Sequence, residues 1–337
     1  MDSSRRFLNR TRQPNDRVMS DSTAKVLQAA DDSTPAAADT WYGEIDGVRL
    51  VDRLTSYYNI LLAFVWLILV PQWSTAVWLF LAHAIAATIP LQLKRAQGRL
   101  SRFGRVLRDV YPLIFILPFW TELDLVRRLL HDANFDRVVG SLDLALFGIH
   151  LDTVFLPNMD AIWFSEIMYF AYFAYYLIVI VPLLYMAFKG SPEMRSDITF
   201  RVVLIYVSCF FVYIAFPVDG PHWLTEHYQG DFQRGFFFQL EQALQSEGDA
   251  LGCSFPSSHV AASTAMAYLG FRWFSKPTAW LLTLGAIGVV LSTVYTQNHY
   301  AIDSVAGVIW AFWIQLMVAP ALLRWWRYER RRAKGSI

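Results

Sequence analysis

The strongest constraint on this chain is a series of apolar stretches, each about the length of one membrane crossing, divided by short polar connections. A helix of ~20 residues spans the ~30 Å hydrocarbon core of a bilayer. Eight such segments are readable: Leu54–Val70, Ala76–Leu93, Val110–Leu125, Ala161–Phe188, Ile198–Phe216, Val260–Phe274, Thr278–Tyr295 and Ala301–Leu323. The third is the most interrupted, by Pro112, Pro118, Glu122 and Asp124, and the fourth is long enough to tilt or extend past the bilayer. Of the 337 residues 55% are hydrophobic and 17% charged, against roughly 25% charged in a soluble domain. A soluble fold of this size cannot hide that much apolar surface. The expected fold class is all-α, a polytopic membrane helix bundle of about eight transmembrane helices.

The connections carry their charge unevenly. Lys94–Arg108, Lys189–Arg201, Arg272–Lys276 and Arg324–Lys334 hold 6, 3, 2 and 6 Lys or Arg. The alternate connections hold 3 between Arg127 and Asp160, 1 between Pro217 and Ser257, and none at Pro71–Ser74. Basic loops stay cytoplasmic, so both termini are expected there. The ends of the sixth and eighth spans that carry His259 and His299 are then expected on the extracytoplasmic or lumenal side. Dropping the third span would move the Lys94–Arg108 cluster to the same side as the histidines, so the charges favour keeping it.

Residues 1–48 are expected to be a disordered cytoplasmic tail, polar and without apolar periodicity; no apolar core follows a basic start, as a cleavable signal peptide would require. Residues 49–109 would form two helices and a basic loop, and residues 324–337 a basic cytoplasmic tail. Two external connections look structured. Phe232–Leu251 has Phe236, Phe237, Leu240, Ala243 and Leu244 at near-helical spacing among Glu241, Gln242 and Glu247. That pattern fits a helix lying in the interface and roofing a site, or one packed on the loop's own core. Arg127–Phe147 is a second candidate. Gly285, Gly288 and the small residues Ala261, Ala262, Thr264 and Ala265 suit close helix packing. Cys209 and Cys253 form neither a disulfide framework nor a zinc-ligand spacing.

Ionisable groups at the edges of apolar spans mark function by default. His299 and Asp303 are four residues apart, on one helical face. His259 lies 40 residues upstream, two crossings and a turn, which returns the chain to the same side. An imidazole can attack phosphorus and form a phosphohistidine, splitting one displacement into two easier ones. A carboxylate one turn away can hold its other nitrogen, as in a serine triad. A second histidine can protonate the leaving oxygen and later deprotonate the incoming hydroxyl. Ser257, Ser258 and the amides opening the sixth helix can bond phosphate oxygens. His83, His131, His150 and His227 are read as structural. Tyr169, Tyr172, Tyr175 and Tyr176 form a stripe of the kind that usually packs, with Glu166 one turn before it, a carboxylate able to bond a tyrosine or a substrate hydroxyl.

F-P-S-S-H at Phe255–His259 and S-x6-H-Y-x2-D-x3-G from Ser292 to Gly307 resemble the second and third motifs of the type 2 phosphatidic acid phosphatase superfamily. The resemblance covers roughly Val110–Leu323. It implies a six-helix catalytic core over residues 110–323, lipid phosphatase or phosphotransferase activity, and neither metal nor cofactor. It makes His299 the nucleophile, Asp303 its partner and His259 the general acid/base. The phosphatase pattern has Ser-Arg where this chain has Ser292-Thr293, and a first motif with Lys and Arg-Pro where it reads F-P-V-D-G-P-H-W at Phe216–Trp223. Two phosphate-clamping arginines are thus missing. The H-Y-x2-D form without arginine is similar to inositol phosphorylceramide synthases. His222, Ser257, Ser258, Asn298 and Glu166 are the candidate substrate- and phosphate-binding residues, and Arg127, Arg128 and Arg234 the external cations able to fold inward.

These readings favour transfer of a phospho-headgroup from a phospholipid to a lipid alcohol, both partners lying in the bilayer and no nucleic acid being involved. Lipid phosphate hydrolysis is the alternative within the class. A transporter or scramblase that keeps the fold without the chemistry is the alternative outside it.

Overall fold

The computed structural model describes residues 43–335 apart from residues 131, 227 and 249. Residues 1–42 of the tail expected over 1–48, and the roles expected for His131 and His227, lie outside the described residues; residues 43–48 are ordered instead, with Ile45 and Val48 exchanging backbone hydrogen bonds of 2.9 and 3.0 Å. Among the described residues the fold is helical, with no strand beyond two isolated bridges.

In chain order the helices are α1 Leu50–Leu69, α2 Ala76–Ala87, α3 Ile89–Ala96, α4 Arg102–Ile114, α5 Ile116–Leu130, α6 Asp136–Phe147, α7 Leu151–Asn158, α8 Ile162–Lys189 and α9 Pro192–Ala215. They continue as α10 Pro221–Leu224, α11 Phe236–Gly248, α12 Ser258–Trp273, α13 Lys276–Tyr295, α14 Ala301–Trp313 and α15 Ala319–Ala333. Each of the eight expected spans is one helix or a joined pair. Among the described residues five stretches are long and apolar enough to cross a membrane, Ala76–Arg99, Ile162–Lys189, Pro192–Ala215, Lys276–Tyr295 and Ala301–Ala333, or six if the bent pair α6 and α7 counts as one span. The first expected span is a full helix made more polar by Asp52, Arg53 and Asn59, and the sixth, α12, has 16 residues.

The third expected span is not one helix. It divides between α4 and α5 at Phe115. Pro118 explains the position: it has no N–H, and its ring collides with the carbonyl four residues earlier, that of Ile114. Its carboxylates are accommodated. Glu122 Oε2 accepts from Trp66 Nε1 and meets His83 Nε2, both at 2.8 Å, and His83 Nδ1 is 2.9 Å from Asn59 Oδ1. His83 therefore ties α1, α2 and α5 together, the structural role expected of it.

Serines start three of the central helices. Ser191, Ser257 and Ser275 accept from Met194 N, Val260 N and Thr278 N at the starts of α9, α12 and α13. Such caps each contribute about 1 kcal/mol. Helix α9 is the hub, buried almost continuously from Asp197 to Val207, with α4, α5, α8 and α12 packed around it and α13 and α14 packed on α12. Gly285 and Gly288 face Ile178 and Ala171 of α8, the close packing expected of them.

One end of the bundle is locked by compensated charge. Asp197 accepts from Arg201 Nε at 2.5 Å, Arg272 Nε at 2.6 Å and Trp273 Nε1 at 2.7 Å. Arg201 also donates to the backbone and side-chain oxygens of Gln315, both at 3.0 Å, within a π-helical turn between α14 and α15. These bonds fix the C-terminal end of α12, so its N-terminal end, with His259, is presented at the opposite end of the bundle.

Candidate active site

The site is built where α12 begins and where α13 gives way to α14. After α13 the chain turns sharply: Thr293 O accepts from both Asn298 N (3.2 Å) and His299 N (3.0 Å), with Gln297 in the left-handed region at φ 60°. Thr293 itself is fully buried, its hydroxyl 2.8 Å from Ser304 Oγ. Asp303 then caps α14, accepting from Tyr300 N at 3.0 Å. The opening of α12 is pinned to this loop. Ser257 N donates to Asp303 O at 3.1 Å, and a Cβ on Gly307 would lie 2.7 Å from Ser257 O. Only glycine in the H-Y-x2-D-x3-G motif lets the two helix starts approach so closely.

This pinning brings the three expected catalytic residues together. His299 Nδ1 lies 3.4 Å from Asp303 Oδ2, and the His259 and His299 rings stand edge to face with centroids 6.0 Å apart. Ser254 was not anticipated. Its hydroxyl donates to Asp303 Oδ2 at 2.7 Å and lies 3.0 Å from His299 Nδ1. The shorter and better path between carboxylate and imidazole therefore runs through Ser254. Ser257 Oγ lies 3.1 Å from the ring's other nitrogen, Nε2. His299 is 5% exposed and Asp303 is 0% exposed, and burial pushes the His299 imidazole down to about 4. The ring is neutral near pH 7.

Part of the tyrosine stripe reaches the site. Tyr172 Oη is 3.5 Å from His259 Nε2, and the Tyr175 ring centroid is 4.4 Å from that of His259. Tyr169 instead packs on Phe232, Phe238 and Tyr295. Tyr213, also unanticipated, donates to Pro256 O at 2.8 Å and accepts from Ser258 N at 3.0 Å. The amides of Ser257 and Ser258 are thus committed within the protein, and Ser257 offers its hydroxyl to the site instead. Ser254 stands one residue before F-P-S-S-H and was within reach of a wider motif. Tyr213 lies in another span, and no spacing signals it.

The remaining candidates sit around this core. Asn298 donates to Glu241 Oε1 at 2.6 Å and accepts from Gln245 Nε2 at 2.7 Å, joining α11 to the loop. Glu166 Oε1 accepts from Phe237 N at 2.9 Å, so it anchors the start of α11 on α8. The helix expected in this connection is therefore present, bonded at its start to α8 and through Glu241 and Gln245 to the loop beside His299. His222 lies on α10, just after Gly220, where a Cβ would come 2.6 Å from Ser254 Oγ. Gly220 has φ 86°, doubly requiring glycine. The stretch at Phe216–Trp223, where the first motif was sought, does reach the site: Ser254 N donates to Val218 O at 2.8 Å. It brings His222 but no Lys or Arg. Arg127 pairs with Asp219 at 2.8 Å, Arg128 with Asp124, and the exposed Arg234 with Asp231 at 3.2 Å. These arginines, which the sequence left able to fold inward, are held in ion pairs with neighbouring carboxylates.

Fold and site together define a polytopic membrane protein with a buried His–Ser–Asp relay facing a second histidine at one end of its helix bundle. The family model of the PAP2 superfamily matches residues 141–317, just over half of the 337-residue chain, and the chain belongs to that superfamily, the type 2 phosphatidic acid phosphatases. Membership assigns it lipid phosphatase or phosphotransferase activity in general, and with the long apolar helices it marks an integral membrane protein. No curated protein and no solved structure matches the chain.

Proposed function

We propose that the chain transfers a phospho-headgroup from a phospholipid to a lipid alcohol through a phosphohistidine on His299, in the manner of inositol phosphorylceramide synthases. The observation that carries this reading is the relay Asp303–Ser254–His299. Ser254 gives its proton to Asp303, so its oxygen accepts from His299 Nδ1–H. A neutral ring that donates from Nδ1 keeps its lone pair on Nε2. Nε2 attacks phosphorus, and the bond from phosphorus to the leaving lipid oxygen breaks. His259, which takes up a proton as the anionic headgroup docks beside it, gives that proton to the leaving oxygen. In the second half the now neutral His259 takes the proton of the acceptor hydroxyl, whose oxygen attacks phosphorus and releases His299. Asp303 and Ser254 stabilise the imidazolium character that His299 acquires. Ser257 can turn its hydroxyl from Nε2 to a phosphate oxygen, and protonated His222 is a partial substitute for the missing arginines.

Transfer rather than hydrolysis fits a helix held against the residue that precedes His299. Helix α11, bonded to Glu166 at one side and to Asn298 at the other, limits the water that would compete with a lipid alcohol. The distribution of Lys and Arg supports a site opening to the extracytoplasmic or lumenal side.

The test uses purified protein in mixed micelles with headgroup-labelled phosphatidylinositol and ceramide or diacylglycerol. Label should pass to the acceptor lipid and fall by at least about 10³ in His299→Gln, as for removal of a nucleophile. Inorganic phosphate released from phosphatidate as fast as any transfer would move the assignment to a phosphatase. Lipid translocation in the absence of any phosphate chemistry would move it to a transporter.

A further inference from the structure

Beside the catalytic loop, α6 and α7 meet at a bend of 63°. Asp143, His150 and Asp152 converge there, one ligand atom from each lying within 4.8 Å of the others. Asp143 is 0% exposed and Asp152 is 1% exposed, whereas the His150 side chain is 37% exposed and able to adjust. His150 Nδ1 is 3.3 Å from Asp143 Oδ2. That is about the ligand-to-ligand spacing around a tetrahedral metal with bonds of ~2.0–2.1 Å.

A second observation points to a ligand. Asp152 Oδ1 is buried and has no hydrogen-bond partner among the described residues. A buried carboxylate oxygen in that state is unfavourable, and a cation would supply what it lacks. A cavity of about 370 Å³, bordered by His150, Asp152, Ser141, Thr225 and Tyr300, adjoins the cluster and has room for water to complete a coordination shell.

We propose that Asp143, His150 and Asp152 bind one divalent transition-metal cation, zinc or manganese, at a site separate from the catalytic histidines. One imidazole and two carboxylates suit these ions, whereas magnesium and calcium favour all-oxygen shells. On binding, His150 takes the tautomer that carries its proton on Nε2, and the metal takes the place of the hydrogen bond between His150 Nδ1 and Asp143. The role is to brace the loop. Asp143 Oδ1 also accepts from Ile302 N at 2.9 Å, and Asp152 O accepts from Gln297 Nε2 at 3.2 Å. The cluster therefore grips the segment containing His299 and Asp303 from both sides, and a cation fastens those two grips to each other. It also offsets acidic charge close to where an anionic headgroup must dock.

The test uses the full chain, without a polyhistidine tag, purified in detergent, stripped with chelator and dialysed. Added zinc chloride should leave about one equivalent bound per chain by elemental analysis and raise Tm by about 3 °C or more; magnesium and calcium chloride should do neither. Asp152→Asn and His150→Ala should lose both the bound metal and the shift. His150→Ala removes a half-exposed ring, so it keeps the fold even if Asp152→Asn does not. His299→Gln should bind metal as the parent does, whatever its effect on turnover. Failure of the parent to retain zinc, or retention and shift undiminished in His150→Ala, would overturn the site.

Discussion

In the proposed mechanism Ser254, bonded between Asp303 and His299, decides which nitrogen of His299 does chemistry, and does so as a positioning residue. Ser254→Ala removes the bridge and leaves the buried Asp303 and His299 imperfectly paired, at a cost of about 1–3 kcal/mol. Its kcat should fall by about 10² with little change in KM, and Ser254→Thr should recover much of that loss; a KM effect alone would place Ser254 in binding instead. His259→Ala should cost about 10²–10⁴ in kcat, the usual worth of a general acid/base. Burial holds the His299 imidazole at about 4 against an ordinary 6.5, so between those values the unfolded chain protonates the ring and the folded protein does not. This contribution to stability is intact above about pH 6.5 and is lost as the pH falls toward 4. Tm measured across that interval should decline less in His299→Gln than in the parent. At this scale the sequence was informative where chemistry is written into spacing. His299 and Asp303 share a helix start, and His259 returns to them after two crossings. Ser254 and Tyr213 were harder to find, because their roles depend on how separate helices meet and not on any interval along the chain.

Helix ends, more than helix middles, carry the function. Three of them, at α12, α14 and α11, lie at or beside the site, and each is fixed by a hydrogen bond to a group outside its own helix or turn: Ser257 N to the backbone carbonyl of Asp303, Ile302 N to Asp143 Oδ1, and Phe237 N to Glu166 Oε1. Hydrogen bonds to charged groups contribute about 1.5–3 kcal/mol. Glu166→Ala should therefore loosen the roof specifically. Amide exchange should accelerate in α11 while α9 and α12 remain protected, and the ratio of hydrolysis to transfer should rise as water gains entry. Uniform acceleration across the bundle would instead make Glu166 a global stabiliser. The spans themselves were legible because apolar length is a direct physical requirement of the bilayer. The division of the third at Phe115 was not, although Pro112 and Pro118 stood in plain view. A proline announces a break without saying whether neighbouring helices will absorb it, and Pro182 inside the unbroken α8 shows the other outcome.

The whole molecule is a bundle with two unlike ends. One is locked by Asp197, Arg201 and Arg272 around the end of α12. The other gathers the polar loops, the acidic elbow and the histidines. The proposed orientation, drawn from the distribution of Lys and Arg, places the first end at the cytoplasm. Single cysteines at Gly98 and at Gln233, in a background lacking Cys209 and Cys253, should react with an impermeant maleimide from opposite sides of sealed vesicles; labelling from the same side would refute the eight-span arrangement. All of this serves one claim, that His299 Nε2 becomes covalently bonded to phosphorus during turnover. Rapid alkaline quench of the enzyme with ³²P-labelled phospholipid, followed by peptide mapping, tests it most directly. The account predicts an alkali-stable, acid-labile label on the peptide containing His299, discharged by acceptor lipid and absent from His299→Gln. Equal labelling of that variant, or full turnover by it, would contradict the account.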